Sequence, residues 1–115
     1  MKDDCIFCKI ANKEIKADIV FEDEETVGFK DIKPQAPVHF VFISKKHIDT
    51  LNDISPEDAA LLARMLVKIK DVAMKEKIAE DGYRVIINCN KNAGQEVFHL
   101  HFHLLGGRSF SWPPG

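Results

Sequence analysis

Three histidines alternate with apolar residues near the C-terminus, within Val97-Phe98-His99-Leu100-His101-Phe102-His103-Leu104-Leu105. Side chains of a β-strand point to opposite faces with a period of two, so as a strand this segment places three imidazoles on one face. Phe98, Leu100, Phe102 and Leu104 then face a core. Imidazole titrates near neutral pH and serves as nucleophile, acid, base or metal ligand. The spacing therefore favours a reactive site over ordinary packing.

Two other interpretations of this row stay open from the residues alone. The three histidines could be half-buried side chains of a sheet, or they could form a catalytic zinc site, because histidines at i and i+2 of a strand can share a metal. The segment contributes no carboxylate, which weakens the metallohydrolase hypothesis. Separately, Cys5-x-x-Cys8 has the spacing of one half of a tetrahedral zinc site, and a pair of reduced thiols is the alternative.

Composition limits the kind of protein. A chain of 115 residues is predicted to form a single domain, 1–115. A net charge of −2 and a pI near 6.2 give no broad electrostatic basis for binding nucleic acid or an anionic membrane. There is no apolar run of about 20 residues and no apolar signal segment. Three cysteines are an odd count that disfavours a disulfide framework, so we expect a cytoplasmic protein in which Cys89 is a buried small residue.

The helices and strands that must position the histidines can be predicted from the spacing of apolar residues and from capping and turn residues. Ser55 is a good N-cap, Pro56 suits the first helical turn, and apolar residues then recur at helical spacing to an expected end near Ala79. A loop is expected at 33–37, where two prolines exclude regular structure, and another at the polar segment 90–95. The remaining apolar runs predict strands at 19–22, 26–31, 38–43, 83–88 and 97–105. These elements favour an α+β fold with an antiparallel sheet of about five strands, in which 38–43 is central.

Several motifs, in this order along the chain, are shared with a known family. They are Cys5-Ile6-Phe7-Cys8-Lys9-Ile10, Asp31-Ile32-Lys33-Pro34-Gln35-Ala36-Pro37-Val38-His39, Lys45-Lys46-His47-Ile48, Gly94-Gln95 before the histidine row, and Leu104-Leu105-Gly106-Gly107-Arg108 before Trp112-Pro113-Pro114-Gly115. The sequence resembles the histidine triad (HIT) family, specifically its Hint branch, over nearly its whole length. The resemblance implies a homodimer with the HIT fold, including one long helix and a short N-terminal helix.

The resemblance also implies a reaction. Members of this branch bind a purine nucleoside monophosphate and hydrolyse nucleoside 5′-phosphoramidates without a catalytic cofactor. His101, the middle histidine, would be the nucleophile that becomes nucleotidylated, and His103 would contact the phosphate and assist proton transfer. His99 and His39 would complete the histidine network. A nucleotide-binding regulatory or scaffold protein with vestigial catalysis is the alternative of a different class.

The resemblance further implies a nucleotide pocket. Phe7, Ile10, Phe29 and Ile32 would enclose the base, and Asp31 would accept hydrogen bonds from the ribose hydroxyls. The phosphate would lie near Asn88, the loop Gly94, Gln95, Glu96 and Val97, and the histidines His101 and His103. Glu96 replaces a serine of the animal Hint proteins, and a carboxylate pointing inward there would repel a phosphate. Lys16 replaces a proline that is common in the family.

Two further expectations come with the family. In members that carry the N-terminal cysteine pair, the zinc ligands correspond to Cys5, Cys8, His47 and His99, which would hold a structural Zn²⁺ with every position filled by protein. In Hint proteins the C-terminal segment reaches toward the other subunit's active site, so Trp112 is expected to shape the leaving-group pocket of its partner.

Overall fold

A five-stranded antiparallel sheet forms the centre of the structure, a computed structural model that describes residues 4–115. The strands are ordered β1-β2-β3-β5-β4 across the sheet. Their bounds are β1 Ile19–Glu22, β2 Thr26–Lys30, β3 Val38–Ser44, β4 Tyr83–Ile86 and β5 His101–Gly106. The helices are α1 Ile6–Ala11, α2 Ala59–Lys75 and α3 Asn90–Ala93, with 3₁₀ turns at Leu51–Asp53 and Pro56–Asp58. The predicted α+β class, the central position of β3 and the short N-terminal helix are confirmed.

The two faces of the sheet differ in chemistry. Antiparallel pairing sets Val41 opposite His103 and Ile43 opposite His101. Residues in register share a face, so these four side chains lie on one side of the sheet. Phe42 and Phe102 are also paired and point to the other side, where both are almost completely buried. One sheet therefore presents imidazoles on one face and a mainly apolar surface on the other.

The apolar face is covered by α2. The core here consists of Phe40, Phe42, Phe102 and Leu104 from the sheet, packed against Leu61, Met65, Ile69, Val72, Ala73 and Ile78. The helix is preceded by the 3₁₀ turn at Pro56, where Ser55 and Asp58 form a capping box and Pro56 occupies the first turn, as the sequence predicted. α2 therefore packs on the face opposite the histidines and holds the strands that carry them in place.

The predicted end of α2 near Ala79 is wrong, because the helix ends at Lys75. Lys77 takes a left-handed conformation with φ of 62°, and the N–H of Ile78 returns to the carbonyl oxygen of Ala73. This reversal places Ile78 in the core, against Gly106 of β5. Burial of the isoleucine thus outweighs the helical pattern of the last residues.

The predicted strand at 97–105 begins only at His101, so His99 lies in the preceding bend. β3 ends at Ser44, and Ile43 is its last residue paired with β5. The N–H of Leu100 instead donates to the carbonyl oxygen of Ile48. Leu100, Phe102 and Leu104 are buried as predicted, whereas Phe98 is about half exposed. The inward orientation predicted for Phe98 is wrong because the chain has not yet entered the sheet at this residue.

Smaller corrections concern the segments that lead to this bend. The expected polar loop at 90–95 contains the short helix α3, which ends at Gly94 with φ of 78°. The predicted strands 26–31 and 83–88 are shorter and end at Lys30 and Ile86. Cys89 is partly exposed rather than buried. No helix among residues 4–115 has the length and hydrophobicity needed to span a bilayer.

Candidate active site and metal centre

The ring of His101 is oriented by a main-chain carbonyl oxygen. Its Nδ1 lies 2.7 Å from the main-chain carbonyl oxygen of His99. A carbonyl oxygen only accepts, so Nδ1 carries the hydrogen and the Nε2 atom of the neutral ring keeps its lone pair. Burial lowers the pKa of His101 below its usual range, although the hydrogen bond to His99 opposes this shift. The ring is therefore neutral at pH 7, the form in which an imidazole is nucleophilic.

His103 lies next to His101, and His39 contacts His103. The ring centroids of His101 and His103 are 5.0 Å apart, and Nδ1 of His103 is 2.9 Å from Nε2 of His39. A carboxylate oxygen of Asp31 lies 3.4 Å from the same His39 nitrogen and 4.0 Å from Nδ1 of His103. Burial lowers the pKa of His103 to about 4, with smaller contributions from the two neighbouring histidines. The site thus contains a group of neutral rings beside one carboxylate.

α1 places the aromatic ring of Phe7 against His101. The Phe7 ring meets His101 edge to face, with centroids 5.1 Å apart and planes at 88°, and it contacts Phe29 at 5.4 Å. Ile10 and Ala11 anchor the helix on a second apolar cluster that includes Phe29, Val41 and Ile43. α1 therefore packs on the same face of the sheet that carries the histidines.

The residues expected around a nucleotide occupy different environments. Phe7 contacts the rings of His99 and His101, and Ile10 and Phe29 lie in the adjoining apolar cluster. Ile32, in contrast, is 93% exposed. Asn88 is half-buried just beyond β4. Gly94 ends α3 in a left-handed conformation that glycine tolerates.

The loop after Gly94 is fixed from within by Gln95. The side-chain amide of Gln95 donates to the carbonyl oxygens of Asp49 and Val97 and accepts from the N–H of Asn90. Gln95 is buried, so its side chain supports the loop. Glu96 is exposed and lines a shallow cavity of about 270 Å³ together with Cys5, Asp49 and Val97.

Four possible metal ligands meet where α1 approaches the bend before β5. Sγ of Cys5 and Sγ of Cys8 lie 3.4 Å and 3.5 Å from Nδ1 of His99. Sγ of Cys8 also lies 3.2 Å from Nδ1 of His47. All four ligand atoms lie within 4.8 Å of one another. The set that the family resemblance implied is therefore assembled in space.

The chemistry of these four groups fits a tetrahedral zinc ion. Zn–S and Zn–N bonds of their usual lengths place neighbouring ligand atoms about 3.3–3.8 Å apart, close to the distances found. Nε2 of His99 donates to the carbonyl oxygen of Ser44 at 2.7 Å, and Nε2 of His47 donates to the carboxylate of Asp49. These bonds leave both Nδ1 atoms with lone pairs directed at the sulfurs. Burial also lowers the pKa of His99 to about 4, which keeps it neutral.

Sequence reasoning missed the partners that orient these rings. Asp49 was detectable, because a carboxylate two residues after His47 can reach its ring. The carbonyl oxygens of Ser44 and His99 carry no sequence signal, since every residue has one. The proximity of Asp31 to His39 and His103 was also missed, because it depends on where the loop after β2 turns back toward β3.

Comparisons with known proteins show which family the chain is similar to. The family model described as "Scavenger mRNA decapping enzyme C-term binding" matches residues 4–111. A HIT-like protein of Synechocystis sp. is 52% identical over 100% of both chains. The purine nucleoside phosphoramidase of Escherichia coli K12 is 49% identical over 94% of this chain and 91% of its own.

Solved structures give the same result. The crystal structure of a HIT family hydrolase from Legionella pneumophila matches with a TM-score of 0.96 and 53% identity, over 97% of this chain and 100% of its own. A histidine triad protein from Clostridium difficile matches with a TM-score of 0.94 and 41% identity, over 96% of each chain. With the histidine row, the sheet order and these relatives in agreement, the chain belongs to the histidine triad (HIT) family.

Proposed function

We propose that this protein hydrolyses purine nucleoside 5′-phosphoramidates through a covalent nucleotidyl intermediate on His101. The observation that carries the proposal is the bond from Nδ1 of His101 to the carbonyl oxygen of His99, which leaves the Nε2 lone pair available in a neutral ring. Support for the substrate class comes from the relative in Escherichia coli, a purine nucleoside phosphoramidase. Residues 1–115 would form one catalytic domain.

The reaction would proceed in two displacements. In the first, Nε2 of His101 forms a bond to phosphorus while the P–N bond of the substrate breaks, and the amine leaves with the electron pair and takes up a proton from solvent. In the second, water attacks phosphorus and gives a proton back to solvent while the bond from phosphorus to Nε2 breaks, which releases the nucleoside monophosphate and the neutral imidazole. His103 would contact the phosphoryl oxygens and assist proton transfer, while His39 and Asp31 hold His103 in place.

The nucleotide would lie between α1 and the histidine face of the sheet. Phe7, Ile10 and Phe29 offer apolar contact to a base, and Asp31 can accept hydrogen bonds from vicinal ribose hydroxyls. The main chain near Gly94 would approach the phosphate. The exposed position of Glu96 on the cavity beside Cys5 supports a nucleotide pocket in which this carboxylate does not face the phosphate.

We propose that Cys5, Cys8, His47 and His99 bind one structural Zn²⁺. The ion would connect α1 to the bend that carries His99, and it has no open position for a water molecule. No step of the reaction would pass through it. Within residues 4–115 no disulfide bond forms, and two of the three cysteines lie in this cluster, which suits a reducing compartment such as the cytoplasm.

We also propose that the protein is a homodimer. β4 lies at one edge of the sheet and carries the partly exposed Val85, and α2 exposes Leu66, Val67 and Met74. An edge strand without a second neighbour and exposed apolar side chains both favour association with a second copy. Trp112 is 82% exposed and would contact the partner's leaving-group pocket. Light scattering on the purified protein measures the mass directly.

The decisive experiment traps the intermediate. Wild-type protein mixed with an AMP-amine substrate and quenched during turnover is expected to carry one AMP on His101, located by mass spectrometry after digestion. His101→Ala should abolish turnover and labelling while AMP affinity stays within about tenfold of wild type. AMP on another residue, or normal turnover by the alanine variant, contradicts the nucleophile assignment. Binding of AMP with no turnover by wild-type protein supports the regulatory alternative.

A further inference from the structure

The main-chain N–H of Gln35 points at the histidine network. It lies 3.0 Å from Nδ1 of His39, within the loop that connects β2 to β3. A main-chain N–H can only donate a hydrogen bond, so Nδ1 of His39 must accept. A neutral imidazole has one hydrogen and one acceptor nitrogen, so the hydrogen of neutral His39 is on Nε2.

The same argument extends to His103. Nε2 of His39 lies 2.9 Å from Nδ1 of His103, and two N–H groups cannot face each other at this distance. Nδ1 of His103 therefore accepts, and the hydrogen of neutral His103 is on Nε2, the nitrogen that points away from His39. The Asp31 carboxylate, 3.4 Å from Nε2 of His39, favours the same arrangement. Burial lowers the pKa of both rings and keeps them neutral near pH 7.

The loop that presents this N–H is held at several points. The carbonyl oxygen of Gln35 accepts from Nε of Arg108 at 2.9 Å, and its side-chain amide donates to the carbonyl oxygen of Lys33 at 3.1 Å. Pro34 and Pro37 restrict the backbone on either side. The donor is therefore fixed in position relative to the sheet.

We propose that the main-chain N–H of Gln35 is a positioning group that sets the tautomer of His103 through His39, so that His103 presents an N–H to a bound phosphoryl oxygen. With the opposite tautomer the ring would present a lone pair to an anionic oxygen, which is repulsive. The inference rests on the proposed function for the identity of that anion. The tautomer itself follows from the contacts of Gln35, His39 and His103.

The tautomer can be measured in the wild-type protein, without substitution. Long-range proton–nitrogen correlation spectra at pH 7 distinguish protonated from unprotonated ring nitrogens. We expect His39 and His103 both to carry hydrogen on Nε2 and His101 to carry it on Nδ1. Hydrogen on Nδ1 of His103 in the ligand-free protein would overturn the proposal.

A pair of variants tests the consequence for binding. Gln35→Pro and Gln35→Ala both remove the side-chain amide, but only the proline removes the N–H. The proline variant is expected to bind AMP roughly tenfold or more weakly than the alanine variant, because a hydrogen bond to a charged group is lost. The two variants should bind adenosine, which has no phosphate, within about twofold of each other. Equal AMP affinities, or an equal loss for AMP and adenosine, would contradict the positioning role.

The outcomes separate this inference from the proposed reaction. A protein with the expected tautomers and the expected AMP-to-adenosine difference, but without phosphoramidate turnover, retains the inference and loses the proposed function. A protein that forms AMP-His101 while His103 carries its hydrogen on Nδ1 retains the function and loses the inference. Should Gln35→Pro fail to fold, the wild-type spectra still decide the tautomer.

Discussion

The main chain of His99 contacts His101, while the side chain of His99 contacts the cysteine pair. One residue therefore both holds the ring of the proposed nucleophile, at 2.7 Å, and belongs to the cluster of Cys5, Cys8 and His47. A change in that cluster is therefore expected to affect the carbonyl oxygen that orients His101. Because of this connection, the zinc content and the turnover rate of a variant are expected to change together.

The first prediction concerns zinc. Protein purified without chelators should contain one zinc per chain, and Cys8→Ser should lose it because a hydroxyl is a poor zinc ligand. Turnover should fall together with the thermal midpoint, since α1 and His99 lose their connection. Metal analysis, differential scanning calorimetry and an AMP-amine assay measure the three quantities.

Cys89→Ser is the matched control, because Cys89 lies outside the cluster and is partly exposed. It should keep its zinc and its activity. If wild-type protein purified without chelators contains no zinc, and added zinc changes neither its activity nor its thermal midpoint, then the four residues form only a hydrogen-bonded cluster. Activity lost with a chelator and restored at once by metal, without any change in the thermal midpoint, would instead support the metallohydrolase hypothesis.

A second prediction follows from the buried state of His103. Its pKa is lowered to about 4 in the folded protein, against a usual value of 6.5. As the pH falls below 6.5, the unfolded chain binds a proton that the folded chain resists until about pH 4. The free energy of unfolding should therefore decrease over this window, by on the order of 3 kcal/mol at most for this one group.

Urea titrations at pH 7, 5.5 and 4.5 measure this dependence. His103→Asn removes the group, so its unfolding free energy should vary less with pH over the same range. If both proteins show the same slope, then His103 does not contribute to acid destabilisation.

Thr26 gives a third prediction. Its hydroxyl is completely buried in β2 and finds no hydrogen-bond partner within residues 4–115. Burying an unpaired hydroxyl costs about 1–3 kcal/mol, and valine has nearly the same shape. Thr26→Val should therefore raise the free energy of unfolding by about 1 kcal/mol, measured by urea denaturation. Thr26→Ser, which keeps the hydroxyl and removes the methyl group, should lower it; a valine variant less stable than wild type would indicate a hydrogen bond at this site.

The fourth prediction concerns the contact between β2 and β3 on the α2 side of the sheet. A Cβ atom added at Gly28 would lie 2.6 Å from the ring of Phe42, which is completely buried. Gly28→Ala should destabilise the protein by about 1–3 kcal/mol, because the ring has to move within a packed core. Thermal and urea unfolding measure the change. The double variant Gly28→Ala/Phe42→Leu should recover part of the loss, and strictly additive destabilisation would argue against a direct clash.

The sequence predicted the parts of the fold that depend on periodicity. Alternation correctly placed Leu100, Phe102 and Leu104 in the core, and the capping residues at Ser55 and Pro56 located the start of α2. Periodicity could not predict where β5 begins, because that depends on β3 ending at Ser44. The end of α2 depends likewise on the burial of Ile78.

The sequence likewise predicted only part of the candidate site. Histidine spacing indicated a reactive face, and the family resemblance indicated which cysteines and histidines would meet. The groups that set the ring tautomers are mostly main-chain atoms, such as the N–H of Gln35 and the carbonyl oxygens of Ser44 and His99. Side-chain identity carries no information about them, so only the folded chain reveals them.

α1 is attached to the protein in two independent ways, by apolar packing of Ile10 and Ala11 and by the sulfurs of Cys5 and Cys8. A helix with two attachments can lose one and still keep its place. Substitution of the cysteines during evolution would then leave Phe7 in contact with His101, although α1 would be held less rigidly. With two attachments of this kind, the proposed zinc site could be gained or lost in evolution while α1 stays in place.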